Sequence, residues 1–357
     1  MQEDSIELGF LSIFALTSFF IFLIIEKYSY KINNGLLIDN EFSKPQAFHE
    51  NAVSRSGGIA SVVSLSFFFI IYNLLYEDIL YEYIFITLSL FFVGYLDDIK
   101  TKISPNLRLI SMSFFLIFFI YYLPIQINNI DLIFLKSWLN NKIFSSIFIT
   151  LCFLFIINGA NLIDGFNGLL TINLIIINSI LLYINLDSEN IEFSFFLTGQ
   201  LIILISFLIF NFPNAKIFLG DSGSYLYGSL VALNVIITNN LNPQISSFFF
   251  CIILFYLFFE VFFSFFRKIY QKKSPVLPDN KHLHMLCYKK IVTIFGSKRS
   301  NYLTSILINI VFSALVIPSI YFYDNSLVCK YWFFSLIIIY IMIYTRLYRL
   351  IKKQIDI

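Results

Sequence analysis

The chain has 357 residues, of which 58% are apolar and only 13% charged, and its mean hydropathy is +0.80. A soluble domain carries about 25% charged residues, so this composition excludes an ordinary soluble globule and points to a membrane protein. The net charge of +2 says little, but where the charges lie says more. Four cysteines (Cys152, Cys251, Cys287 and Cys329) form no CxxC pair, so they read as packing residues with no disulfide or zinc role. The N-terminus MQEDSIELGF is acidic where a cleaved signal peptide would start basic, so the first apolar run reads as a retained helix.

A spanning helix needs roughly 20 apolar residues. In chain order the candidates are 8–25, 59–76, 80–96, 107–123, 143–157, 169–185, 193–210, 223–238, 245–266, 302–323 and 331–351. The third, fifth and eighth are short or weakly bounded. The expected fold is an all-α polytopic membrane protein of ten to eleven transmembrane helices, forming one domain over 1–357. Eleven spans put the termini on opposite sides. With the N-terminus outside and the C-terminus cytoplasmic, all but three of the 24 basic residues fall inside, the exceptions being Lys136, Lys142 and Lys330. A wrong helix count would scramble that asymmetry.

The polar, glycine-bearing stretches also collect on the inner side. They are DNEFSKPQAFHENAVSRSGG (39–58), GYLDDIKTKISPN (94–106), NGANLIDGFNGL (158–169), NFPNAKIFLGDSGS (211–224) and SPVLPDNKHLHMLCYKK (274–290). All three histidines, His49, His282 and His284, lie there, with Asp97, Asp98, Asp164 and Asp221. Asp97 and Asp98 close a helix, where negative charge is disfavoured. If both approach one site, double ionisation needs a cation between them. Asp164 alone would read as a turn residue, but Asn158, Asn161 and Asn167 surround it. Glu260 lies in an apolar helix, and the only partner in prospect is Arg267.

GDSGS (220–224) looks like the serine motif of a protease, but that motif belongs to an all-β secreted fold. Followed by YLYGSLVALNVII, it reads as a loop opening a helix, whose N-terminus favours anions. Asp221 beside an anion implies a bridging divalent cation, and Mg²⁺ suits a site of few carboxylates plus phosphate. Ser222 is then expected to cap the helix or touch phosphate.

DDIK (97–100), NGANLIDGFNGL (158–169), FLGDSGS (218–224) and PDNKHLHMLCYKK (278–290) together resemble the cytoplasmic motifs of the polyprenyl-phosphate N-acetylhexosamine-1-phosphate transferase family, in the family's order. FSKPQAFHENAVSRSGG resembles its first cytoplasmic loop. The resemblance implies transfer of a sugar 1-phosphate from a UDP-sugar to a membrane polyprenyl phosphate, with release of UMP. It implies catalytic roles for Asp97 and Asp98, matching the pair tied to lipid-phosphate activation and metal handling, and for His282 and His284, matching a histidine loop at the diphosphate or sugar. Asp164, Asn167, Asn158 and Lys102 fall to substrate binding, and Asp221 with Asn161 to the metal, Mg²⁺ or Mn²⁺ in its place.

Two departures stand out. Asn167 occupies a position where many relatives have Asp, and Met285 replaces a third histidine. The second favours a simple UDP-HexNAc donor, such as UDP-GlcNAc, and initiation of a surface polysaccharide. The runner-up is the phospho-MurNAc-pentapeptide translocase of peptidoglycan synthesis. A transporter is the rival of another class, and would place its ionisable groups near the midplane. Expected surroundings are a bacterial inner membrane, with no nucleic acid; a homodimer is compatible with the sequence.

Overall fold

The computed structural model describes residues 2–40, 52–99, 101, 103–274 and 279–355. The helices are α1 (Gln2–Tyr28), α2 (Gly57–Tyr76), α3 (Tyr81–Asp98), α4 (Pro105–Tyr122), α5 (Ile133–Leu139), α6 (Lys142–Ile163), α7 (Leu169–Asp187), α8 (Ile191–Asn211), α9 (Gly220–Leu241), α10 (Ser247–Ile253), α11 (Phe255–Tyr270), α12 (Leu283–Phe295), α13 (Ser297–Val316) and α14 (Ser326–Ile355). Strands β1 (Ile38–Asp39) and β2 (Val53–Ser54) form one short antiparallel pair. The protein is an all-α polytopic membrane protein, and each of the eleven predicted spans falls on helix.

Among the described residues, eight helices are long and apolar enough to cross a membrane. The pair α10–α11, bent by 78° at Leu254, is together long and apolar enough for a broken span or a re-entrant loop. The remaining two predicted spans are α3 and α9. Helix α3 carries three carboxylates, Glu82, Asp97 and Asp98, and α9 opens on GDSGS, so both fall short on composition. A central helix need not be apolar, because it never meets lipid. Along α9 nearly every side chain from Gly220 to Asn239 is buried. Its polar groups find partners inside the bundle. Asn234 Nδ2 donates to Asn178 Oδ1 and Gln200 Oε1, each at 2.8 Å, and Tyr83 hydroxyl donates to Asn234 Oδ1 at 2.7 Å. With no water at that depth, amides must satisfy one another.

Local sequence marks several helix starts. Ser104 accepts from Leu107 N with Pro105 in the first turn of α4. Asn141 caps α6 by accepting from Ile143 N and Phe144 N, and Ser246 caps α10. The basic stretch 267–299 departs from a plain loop, since α12 occupies much of it and packs between α13 and α14. It is too short to span, which is why hydropathy alone does not reveal it.

Helix α3 lies against α9 at close range. A methyl group added at Gly94 would sit 2.5 Å from the Asp221 carbonyl oxygen, so only glycine lets the two backbones meet there. That contact brings the end of α3 to the start of α9.

Candidate active site

Four helix ends converge. Asp97 and Asp98 end α3, Arg108 lies in the first turn of α4, Asn161 and Asp164 end α6, and Asp221 opens α9. A cavity of ≈ 250 Å³ lies between them. Asp39, Arg55, Asp97, Arg108, Asn161, Asp164, Asn167 and Asp221 are on its wall, with Phe166 and Met285.

The acid pair divides. Neighbouring residues on a helix point about 100° apart, so the two carboxylates do not share one site. Asp97 Oδ2 accepts from Arg108 Nη1 at 2.8 Å and lines the cavity. Asp98 turns away and is almost fully buried. Its Oδ1 accepts from Asp221 N at 3.0 Å and its Oδ2 from Ser222 N at 2.9 Å. The anion that the start of α9 attracts is therefore the protein's own Asp98 carboxylate. Gly220 has φ +77°, and a methyl group there would lie 2.6 Å from Asp98 Oδ2, so glycine is needed for both reasons.

Asp221 has partners on both oxygens. Oδ2 accepts from Arg108 Nη1 at 2.7 Å, and Oδ1 from Asn161 Nδ2 at 2.9 Å. Arg108 thus bridges Asp97 and Asp221 through one nitrogen. Arg55 is brought in by the segment after β2. Phe218 N donates to Ser54 O, and Gly57 N and Gly58 N donate to Phe218 O and Leu219 O. There Arg55 Nη2 meets Asp39 Oδ2 at 2.7 Å, and Nη1 lies 3.6 Å from Asp98 Oδ1. Burial alone would lower the Arg55 pKa, but the Asp98, Asp221 and Asp39 carboxylates outweigh it and raise it. At Asp164, burial and then the Asp221 and Asp98 charges hold the carboxyl well above the usual range.

Ser222 neither caps α9 nor touches the cavity. Its hydroxyl is fully buried without a partner, pressed on Gly58, where a methyl group would come within 2.3 Å of Ser222 Oγ. Its geometry gives no support to a nucleophile. Asn167 is on the cavity wall, but its Nδ2 already donates to Pro213 O at 2.8 Å. Asn158 is not on the wall; its amide back-bonds to Leu154 O within α6. Lys102 and His49 lie outside the described residues, as does 275–278 of the last polar stretch.

His282 and His284 are buried behind the cavity, their rings stacked with centroids 5.5 Å apart. They stand at the start of helix α12, not in a free loop. Glu260 holds this corner, correcting its expected pairing with Arg267. Its Oε1 lies 3.0 Å from His282 Nδ1 and accepts from Leu283 N, and its Oε2 accepts from Tyr340 hydroxyl at 2.5 Å. Arg267 pairs with Asp279 instead. Phe166, edge-on to His284, separates that ring from the open space, and Met285 reaches the wall.

Arg55, Arg108 and Asp39 are site residues that sequence reasoning missed as such. The only signal for the arginines was proximity, Arg55 to the glycine pair 57–58 and Arg108 to the turn after the acid pair.

Comparison with known proteins settles the family. Residues 80–239 match the sequence profile described as Glycosyl transferase family 4. A phospho-N-acetylmuramoyl-pentapeptide-transferase of Buchnera aphidicola subsp. Acyrthosiphon pisum is 32% identical over 259 residues, which are 63% of this chain and 72% of that protein. The chain belongs to glycosyl transferase family 4. An undecaprenyl-phosphate alpha-N-acetylglucosaminyl 1-phosphate transferase of Thermotoga maritima is 26% identical over 277 residues, 78% of this chain and 80% of that protein. A pentapeptide-transferase of Dictyoglomus turgidum is 28% identical over 61% of the chain and 71% of its own length. The family is that of polyprenyl-phosphate sugar-phosphate transferases, so the chain is a phosphosugar transferase. The family 4 match contains every cavity carboxylate except Asp39 and stops short of His282.

Among the described residues no three His, Cys, Asp or Glu side chains converge closely enough to hold a metal ion alone. The donor set still fits Mg²⁺, which takes one or two carboxylates and keeps its other positions for water and phosphate. Asp97 and Asp221 are already bridged by one cationic nitrogen, so positive charge between them is geometrically accommodated. The cavity wall offers Asp97 and Asp221, with the Asn161 amide beside Asp221, which is the small set of oxygen donors such a cation needs.

Proposed function

We propose that this family 4 enzyme transfers N-acetylhexosamine 1-phosphate from a UDP-sugar, UDP-GlcNAc or a close relative, to polyprenyl phosphate. The product would start a cell-surface polysaccharide at the cytoplasmic face of a bacterial inner membrane. One observation carries the donor reading: Met285, not an imidazole, stands on the cavity wall. The breadth of the match to the Thermotoga maritima N-acetylglucosaminyl 1-phosphate transferase supports it. The second reading is the pentapeptide donor, favoured by the higher identity to the Buchnera aphidicola enzyme.

In the proposed reaction, an oxygen of the polyprenyl phosphate attacks the sugar-bound phosphorus of the UDP-sugar. A new P–O bond forms, the bond to the UMP oxygen breaks, and UMP leaves with the electron pair. Phosphoryl transfer of this kind needs positioning and charge neutralisation more than covalent help. Asp97, which faces the cavity, takes the remaining proton of the lipid phosphate or holds it in line. Arg108 and Arg55 offer guanidinium donors to phosphate oxygens. Asp164 and the free carbonyl of Asn167 are the polar groups available to the nucleotide. Asp221, Asp97 and Asn161 would hold Mg²⁺, which when bound supplies charge neutralisation at the diphosphate.

The test is a donor competition on purified enzyme with polyprenyl phosphate, scoring UMP and lipid-linked sugar. UDP-GlcNAc or a close relative is expected to be used and UDP-MurNAc-pentapeptide to be a poor donor. Preference for the pentapeptide would refute the polysaccharide reading and favour the second one.

Sidedness has its own expected result. In a chain with its four cysteines replaced by serine, Ser188→Cys should react with a membrane-impermeant maleimide on intact cells. Asn280→Cys should react only after permeabilisation. The reverse pattern would overturn the cytoplasmic placement.

A further inference from the structure

At the other end of α4 and α6 from the catalytic cavity lies a second one of ≈ 520 Å³. Helix α4 has 18 residues, which puts the two cavities roughly 27 Å apart. The loop after α4, helix α5 and the first turns of α6 form its wall. Lys136 and Lys142 both line it, and they are two of the three basic residues that the charge pattern assigns to that side. Among the described residues no carboxylate pairs with either lysine. Asp131, the nearby acid of the same loop, is taken by Ser246 hydroxyl at 2.5 Å. Lys142 Nζ sits 4.2 Å from the centre of the Tyr121 ring.

The surroundings are apolar and uncovered. In α5 no residue is buried, and Ile133, Phe134 and Trp138 are 87%, 59% and 56% exposed. Tyr122, on the cavity wall, is also largely exposed. Aromatic side chains of this kind collect where hydrocarbon meets headgroups. The loop itself is firmly built. Asn128 N donates to Asn240 Oδ1, Asn240 Nδ2 to Gln126 O, and Asn129 Nδ2 to Pro243 O and Ile245 O. Two unpaired cations are therefore held at a polar opening beside exposed apolar surface. That combination suits a ligand with an anionic head and hydrocarbon tails.

We propose that this cavity binds the headgroup phosphate of an anionic phospholipid between Lys136 and Lys142, with α5 lying on the bilayer surface. The site is separate from the transferase reaction and does not depend on the donor assigned above. The amides and hydroxyls of Asn128, Asn140 and Ser145 are available to the headgroup beyond the phosphate.

The two tryptophans make a direct test possible. Full-length protein carrying Trp332→Phe keeps only Trp138. It is reconstituted in phosphatidylcholine vesicles containing rising fractions of dibrominated phosphatidylglycerol or, in parallel, dibrominated phosphatidylcholine. Phosphatidylglycerol is expected to quench Trp138 with about fivefold or greater preference, the scale of one lysine near an anionic surface. Lys136→Gln with Lys142→Gln should abolish the preference, while Lys142→Arg should retain it. Both lysines are exposed, so circular dichroism and sugar-phosphate transfer should stay at parent levels in the double variant. Equal quenching by the two lipids, or a preference that survives the double substitution, overturns the proposal. Displacement of the lipid by millimolar inorganic phosphate would also overturn it, since the site would then take free phosphate.

Discussion

Asp221→Asn is expected to lower sugar-phosphate transfer by roughly 10³-fold or more, the scale of losing charge stabilisation by a metal in phosphoryl transfer. Asparagine keeps the size of the side chain and one acceptor oxygen, so it can still accept from Arg108 or from Asn161 but not from both as Asp221 does. The charge and one partly exposed hydrogen bond are removed. The protein should stay folded, with its thermal midpoint only slightly below that of the parent, because the Asp221 side chain is partly exposed and water can replace the lost bond. EDTA should abolish turnover in the parent, and Mg²⁺ should restore it. Mn²⁺ binding, followed by its paramagnetic resonance, should weaken in the variant even without substrate. Full turnover in EDTA, or near-normal turnover by Asp221→Asn, would remove the proposed metal role. Arg108 makes the charge logic explicit, because it now shares one nitrogen between Asp97 and Asp221. Asp97 and Asp221 would hold the divalent ion, and the Arg108 guanidinium they now share would then be available to a phosphate.

Much of the fold was legible because the bilayer simplifies the rules. A segment either carries about 20 apolar residues or fails to cross, so eight of the eleven predicted spans stand out as single helices by length and composition. Helices α3 and α9 are harder to read, since the residues that make the site also dilute their hydropathy. Helix α12 was hidden within a basic stretch, because its apolar side meets α13 and α14 rather than lipid. For the site, the acids were conspicuous in so apolar a chain. The arginines were not, because a basic residue on that side already has an explanation in the charge asymmetry. Glu260 could not be paired from sequence. Its partners His282 and Tyr340 lie 22 and 80 positions away, and no periodicity couples them. Nor could it be read which of Asp97 and Asp98 faces the cavity, since that depends on where α9 begins relative to the end of α3.

That difference between Asp97 and Asp98 leads to the second large effect. Asp97→Asn should cost about 10²–10³-fold in turnover, within the range of a lost acid–base group, and leave stability almost unchanged. Its side chain is partly exposed, and its partner Arg108 keeps Asp221. Asp98→Asn should behave differently. The buried carboxylate there accepts two backbone N–H groups and faces Arg55. An amide offers one acceptor and turns its N–H₂ toward a donor, leaving a buried group unsatisfied at about 1–3 kcal/mol. The Arg55 charge would also lose a partner. Asp98→Asn is thus expected to lower the thermal midpoint clearly, and to lower turnover through displacement of Asp221 at the start of α9. Mn²⁺ affinity should fall in both variants, but only Asp98→Asn should also unfold earlier. If both variants lose turnover alike with unchanged stability, Asp98 acts in the cavity and its capping of α9 carries little weight. If Asp98→Asn turns over at the parent rate, the link from the end of α3 to the position of Asp221 is broken.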